Sequence, residues 1–452
     1  MSVHNREFFP VRGVIEGYYG TPWTNAERLD MIRFLGRHGF NAYYYSPKDD
    51  PYLRERWQEP HPPEALEQME GWMACAREAG VRFVYCLSPG LSMEYASDGH
   101  FSRLLEKYRF MYERGVRHFA LLFDDIPLAL MHPADVSRYR TLAEAHADVA
   151  LRLREAMDGW EERVELTVCP AQYHGMGDEP YITELGRRLP AAIDLFWTGR
   201  FVCSPFLAEA DARFFAERTG HKPLIWDNYP VNDLAMADEL HIGPLRNRDP
   251  GLWRHAAGYV ANPMARAESS KIPLLTTAAY LRDPEGYDPA SAWALAVEEV
   301  AGPEDAAAVL RFADNVQGSF LNETESPALL EAFLQFRFQF LYGDRQAGLR
   351  MLGRVFADME ETALHLLERM RNRKLAAEIG GWVEKYRHWA KVGQAVTAMI
   401  EAGTSGRTLR AAYHLLRLKH WMKRTERLPQ KVCGSVMKLF VEAVLLELKQ
   451  TR

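Results

Sequence analysis

Cysteine is scarce in this chain: Cys75, Cys86, Cys169, Cys203 and Cys433 are five residues in 452, scattered with no CxxC pair and no Cys/His cluster at zinc spacing. A disulfide framework and a structural zinc site are therefore not expected, whereas free, mostly buried thiols in a reducing compartment are, and with them a cytoplasmic location. Long apolar runs are missing too. No stretch approaches the ~18 residues of a membrane span, and the opening segment MSVHNREFFPVRGVIEGYYG has no basic region followed by an apolar core of the kind that marks a leader. Neither sign of charge prevails. With 55 Lys and Arg against 61 Asp and Glu, the net charge of -6 offers no global attraction to nucleic acid or an anionic membrane. Internal repeats, low-complexity tracts and a phosphate-cradling Gly-rich loop are also absent.

What is present is an ordered, aromatic-rich chain, 47% hydrophobic and 12% aromatic, too long for one ordinary core. Short β-rich apolar runs alternate with longer amphipathic segments through the first 265 residues, as repeated β/α units do. Eight strands are expected, at 12–19, 41–47, 81–88, 118–125, 164–170, 193–199, 223–228 and 258–263. Eight units in about 250 residues match a (β/α)8 TIM barrel. From about 290 the strand-like runs cease and helix formers dominate, which predicts a separate helical bundle. The expected organisation is a catalytic barrel over 1–285 and a helical C-terminal domain over 286–452, with 266–289 as the junction.

Barrel chemistry sits at the C-terminal ends of the strands. Those positions hold Gly17, Tyr19, Lys48, the adjacent acids Asp124 and Asp125, Tyr173, Trp197, Trp226, Asn228, Asp233 and Asn262. Acids, amides and flat aromatic faces together suit a hydroxyl-rich ligand such as a sugar. An Asp-Asp pair after a strand also serves as an ordinary helix cap or turn, but independent turns do not require so many such residues at one end of successive strands. Two close carboxylates repel, which is expected to raise the pKa of one so that it stays protonated as a general acid. Adjacent strand residues point to opposite sides, so the pair is not expected to flank a scissile bond at the about 5–5.5 Å of ordinary retaining glycosidases. A nucleophile would then come from elsewhere, the substrate included.

The blocks GVIEGYYGTPW, NAYYYSPKDDPYLRERW, FVYCLSPGL, FALLFDDI, WDNYPVND and VANPM resemble, in order, the motif set of glycoside hydrolase family 84, the β-N-acetylglucosaminidases that include protein O-GlcNAcases. The resemblance implies retaining, substrate-assisted hydrolysis of terminal β-linked GlcNAc through an oxazoline. It implies that Asp124 orients the 2-acetamido group and that Asp125 protonates the leaving oxygen and later activates water. By the same resemblance Tyr173 holds the acetamido oxygen and Trp226 walls its pocket. Gly17, Lys48, Asn228, Asp233 and Asn262 fall on sugar-binding positions, and Tyr19 and Trp197 are further walls. No metal and no cofactor is implied.

The expected partner is a GlcNAc-bearing glycoprotein, glycopeptide or oligosaccharide, with a homodimer through the helical domain as a further expectation. Residues 405–452 carry 11 Lys and Arg against 3 Asp and Glu, a solvated basic face or a surface for an acidic glycopeptide. Two other readings remain open at this point: an inactive carbohydrate-binding barrel, and a hydrolase of a polysaccharide such as hyaluronan.

Overall fold

The computed structural model describes residues 7–322 and 325–450. All eight expected strands form: β1 Val11–Ile15, β2 Ala42–Tyr45, β3 Arg82–Leu87, β4 His118–Leu122, β5 Glu165–Cys169, β6 Asp194–Trp197, β7 Pro223–Asp227 and β8 Gly258–Ala261. They run parallel in sequence order and close into a barrel, with Gly13 opposite Ala42 and Val11 opposite Gly258. Each strand ends before the apolar run that announced it does. The residues beyond the last ladder pairing are loops, and these loops carry most of the candidate site.

Alternation sorts the side chains. Residues of one parity, among them Ile15, Tyr44, Cys86, Leu122, Cys169, Phe196, Trp226 and Val260, form one buried cluster inside the barrel. The other parity faces the surrounding helices. Three of these matter here: α1 Asn25–Arg37, α2 Pro63–Glu78 and α3 Asp98–Glu113. Tyr45 packs on Trp72 of α2 at 5.1 Å and Phe119 on Tyr108 of α3 at 5.3 Å. Two of these helices begin at side-chain caps, and α2 begins with Pro63 at its first position. Thr24 and Glu27 form a capping box at α1, and Ser97 accepts from the His100 N–H at α3.

The turn after β1 is fixed by a buried carboxylate. Glu16 accepts from Arg28 Nε and Nη2 of α1, both at 2.8 Å, from the Tyr43 hydroxyl and from the Trp23 N–H at 3.1 Å. Gly17 and Tyr19 follow directly and are held at the barrel mouth.

The chain divides into two compact units. The first comprises residues up to Asp233, Leu245–Ala267 and Leu274–Pro289; the second comprises Leu234–Pro244, Glu268–Pro273 and the chain from Ala290 onward. Where a junction was expected the chain forms a helix, Ala267–Arg282, that continues through Pro273. The second unit is built from helices, chief among them Arg345–Leu364, the 32-residue Arg373–Thr404 and Thr408–Glu426. Arg373–Thr404 buries Leu375, Ile379, Trp382, Tyr386 and Trp389 at helical spacing, and its N-terminus is capped by the Asn372 side chain accepting from the Leu375 N–H.

Candidate active site

β4 delivers the two acids, but they have already left the strand. The Phe123 N–H still bonds the Cys169 carbonyl at 2.9 Å, whereas Asp125 has φ of 56°, in the left-handed region that few non-glycine residues adopt. That turn gives the two carboxylates separate sets of partners. Strain of this kind is stored preferentially at functional sites.

Asp124 is 5% exposed and its Oδ2 is paired with the buried ammonium of Lys48. Its Oδ1 is buried with no hydrogen-bond partner. An unsatisfied buried carboxylate oxygen is costly, so it marks a place where a donor from a ligand would be welcome. Lys48 also lies 5.9 Å from the ring centre of Tyr19 and 5.7 Å from that of Trp226.

Asp125 is held differently. Its Oδ1 accepts from the Tyr173 hydroxyl and its Oδ2 from the Tyr19 hydroxyl, each at 2.7 Å. Burial pushes its pKa up, but Lys48, the Tyr173 and Tyr19 hydroxyls and Arg54 together outweigh burial and hold the carboxyl below its ordinary value. For Asp125 this runs opposite to the rise that mutual repulsion between the two acids would give. The sequence argument counted two negative charges, whereas the fold sets two cations beside them. Burial and the Asp125 contacts push both tyrosine hydroxyls up, keeping them protonated donors. Burial likewise raises Asp233, with the Asp125 charge adding to it and the Tyr19 N–H opposing.

The remaining expected residues form a wall and its bracing. Trp226 projects into the barrel with Phe196 edge-on at 5.1 Å. Its Nε1 donates to Asn228 Oδ1 at 2.9 Å, which also accepts from Asn262 Nδ2 at 2.9 Å, while Asn228 Nδ2 donates to the Val202 carbonyl at 2.7 Å. Asn262 Oδ1 accepts from the Gly17 N–H at 3.3 Å, and Asp233 Oδ2 accepts from the Tyr19 N–H at 2.7 Å. These bonds tie the ends of β1, β6, β7 and β8 together. Gly17 has to be glycine for space, since a Cβ there would sit 2.6 Å from the Trp226 ring.

Trp197 does not join this wall. It is 1% exposed, packs on Phe215 of the surrounding helix Glu209–Thr219 at 5.2 Å, and donates from Nε1 to the Gly175 carbonyl at 3.0 Å. Strand parity is the reason: Phe196 takes the inward position of β6, so its neighbour faces out.

Two residues were missed by sequence reasoning. Phe196 could have been found from that parity. Arg54 lies in the same PKDDPYLRERW block as Lys48; its Nη2 approaches the Asp125 carbonyl at 3.4 Å and its guanidinium lies 5.8 Å from the Tyr19 ring centre. Among the described residues no group of three or more His, Cys, Asp or Glu is placed to hold a metal ion.

Known proteins match this architecture along most of the chain. A family model described as beta-N-acetylglucosaminidase matches residues 12–314, and one described as the bacterial GH84 post-catalytic domain matches 326–429. The protein O-GlcNAcases of Rattus norvegicus and Mus musculus are each 30% identical over 276 residues, covering 60% of this chain. The matched region spans about 30% of the length of those two relatives. Among solved structures, a mutant of the Thermobaculum terrenum O-GlcNAc hydrolase has a TM-score of 0.93 at 35% identity, covering 97% of this chain and 95% of its own. CpGH84B has a TM-score of 0.86 at 27% identity, covering 97% of this chain and 77% of its own. With the barrel, the paired acids at its mouth and both family models in register, the chain belongs to glycoside hydrolase family 84, an enzyme family of β-N-acetylglucosaminidases.

Proposed function

We propose that this enzyme removes terminal β-linked GlcNAc from Ser or Thr of glycoproteins or glycopeptides, using the substrate's own 2-acetamido group as nucleophile. The observation that carries this reading is Asp124, whose Oδ2 is neutralised by Lys48 while its buried Oδ1 lacks a donor. An acetamido N–H fits that acceptor, and the bond would turn the carbonyl oxygen toward the anomeric carbon. The carbonyl oxygen then bonds to C1 as the glycosidic bond breaks, and the departing oxygen takes a proton from Asp125. Asp125 next removes a proton from water, which adds to C1 and breaks the bond to the acetamido oxygen, restoring the acetamide with retained configuration.

Asp125 must acquire a proton to begin this cycle. Tyr173 now donates to it; if that hydroxyl turns to the acetamido oxygen, Asp125 loses a stabilising donor and its proton affinity rises. Trp226, Phe196 and Tyr19 would enclose the sugar, and Asp233 and the bracing amides of Asn228 and Asn262 would set its hydroxyls. The reaction as written needs no metal or cofactor.

A cytoplasmic location and a homodimer through the helical unit complete the proposal. The five cysteines are free, and among the described residues no helix is long and apolar enough to cross a membrane. The helix Pro327–Tyr342 exposes Leu334, Phe338 and Tyr342 at a spacing of four residues, and sedimentation at working concentration decides whether a second copy covers it.

Two aryl β-glycosides, differing only in a 2-acetamido or a 2-hydroxyl group, test the chemistry. Cleavage of the first alone is expected. Equal cleavage of both would show that the acetamido group is not the nucleophile, and sugar binding without turnover would favour an inactive carbohydrate-binding barrel.

A further inference from the structure

The loop after β2, residues 46–62, carries Lys48 and Arg54 into the site, yet over 46–61 it has no regular helix or strand of its own. The Ser88 N–H donates to the Leu53 carbonyl at 2.8 Å, and the rest of residues 52–59 is held largely from α3. Lys107 Nζ donates to three backbone carbonyls of the loop, those of Tyr52 at 2.5 Å, Glu59 at 2.7 Å and Trp57 at 2.9 Å, which uses all three ammonium protons. The residue is 7% exposed, and among the described residues no carboxylate forms an ion pair with it.

A buried ammonium with no carboxylate in direct contact is expensive. Burial pushes this one down to about 8, with the charges of Asp50 and Glu59 opposing. Packing α3 against the barrel needs only apolar residues, as its own Leu104, Tyr108 and Met111 demonstrate. The expense is therefore tied to the shape of the loop rather than to the seating of the helix.

What that shape delivers is Arg54, whose backbone lies between the clamped carbonyls of Tyr52 and Trp57. Its side chain is 7% exposed, touches the Asp125 carbonyl, and keeps Nη1 buried without a partner. We propose that Lys107 is a positioning residue for the active site: by clamping residues 52–59 it keeps Arg54 against the Asp125 turn, and through Arg54 it supports catalysis by Asp125. This rests on the reading of Asp125 as the acid and base.

A double-mutant cycle tests it, with kcat/KM on phenyl β-GlcNAc, whose poor leaving group needs the acid, measured for wild type, Lys107→Met, Arg54→Ala and the double variant. Lys107→Gln is measured as well, so that a poorly folding Met variant leaves the test intact. The expected result is a loss of about ten-fold or more when Arg54 is present, because small displacements of site groups are costly, and less than about two-fold when it is absent. Asp125 is faced by Lys48, Arg54, Tyr19, Tyr173, Asp124 and Asp233. Taking Arg54 away from it should move the alkaline limb of the kcat/KM profile upward in Lys107→Met as in Arg54→Ala, a change that partial unfolding does not produce. Equal losses in both backgrounds, or unchanged activity in Lys107→Met, would overturn the proposal. Asp125→Asn is assayed alongside. If it stays active on a poor leaving group, the reading of Asp125 has failed; if it is inactive while Lys107→Met is unaffected, only the role of Lys107 has.

Discussion

Two buried ion pairs occupy the same barrel and are completed in opposite ways. Arg28 and Glu16 lock α1 to the turn after β1, and both Glu16 oxygens are occupied, by the guanidinium, by the Tyr43 hydroxyl and by the Trp23 N–H. Arg28 also lies over the Trp72 ring at 4.6 Å. Lys48 and Asp124 are almost as deeply buried, but one Asp124 oxygen is left without a partner. Here the pair that locks the fold satisfies the lone pairs it buries, whereas the pair proposed to meet a ligand leaves one open at a cost to the fold.

That contrast is best broken by exchanging losses of activity for losses of stability. Asp125→Asn should lower kcat/KM on substrates with poor leaving groups by about 10²–10⁴-fold, the ordinary worth of a general acid and base. Its melting temperature should stay near that of the wild type, and calorimetry beside the rate measurement checks both. Glu16→Gln should do the reverse, removing about 3–5 kcal/mol of stability by stranding a buried Arg28. Its molecules that remain folded, counted by active-site titration, should turn over at close to the wild-type rate. A Glu16→Gln enzyme that is stable but slow would remove the distinction between the two pairs.

Smaller effects sharpen it. Tyr173→Phe removes a donor that stabilises the Asp125 carboxylate, so the folded-state pKa of Asp125 should rise. Because kcat/KM follows the ionisation of the free enzyme, the alkaline limb should move to higher pH, as a pH–rate profile would record. Trp197→Phe should cost about 1–2 kcal/mol of stability through the lost Nε1 bond to Gly175 and some packing. Its KM should stay within about two-fold of wild type, since the ring faces the outer helices. A large rise in KM would return Trp197 to the sugar pocket.

Much of this was legible in the residues. The eight apolar runs were readable because each buries both faces of a parallel strand, and the site was readable because its residues cluster at one end of those runs. The failures share one cause, which is distance along the chain. The state of Asp125 depends on Lys48 and Arg54, more than 70 residues away, so an argument from the pair alone reached the wrong sign. In IDLFWTG two adjacent aromatics alternate, and only the pairing of Phe196 with Leu224 shows which faces inward. Nothing in the composition of 234–244 or 268–273 announces that these segments group with the helical unit rather than with the barrel. Arg54 was overlooked because a charged residue in a turn-rich loop reads as solvated until its burial is seen.

The claim at the centre is that the acetamido oxygen, aimed by Asp124, is the nucleophile. The most direct measurement is kcat/KM of the wild-type enzyme on aryl β-glycosides whose N-acetyl group carries zero, one, two or three fluorines, since each fluorine weakens the carbonyl oxygen as a nucleophile. A steep, progressive fall along the series is the predicted result. A flat series would mean that another group attacks the anomeric carbon, and that the unpartnered oxygen of Asp124 serves some other purpose.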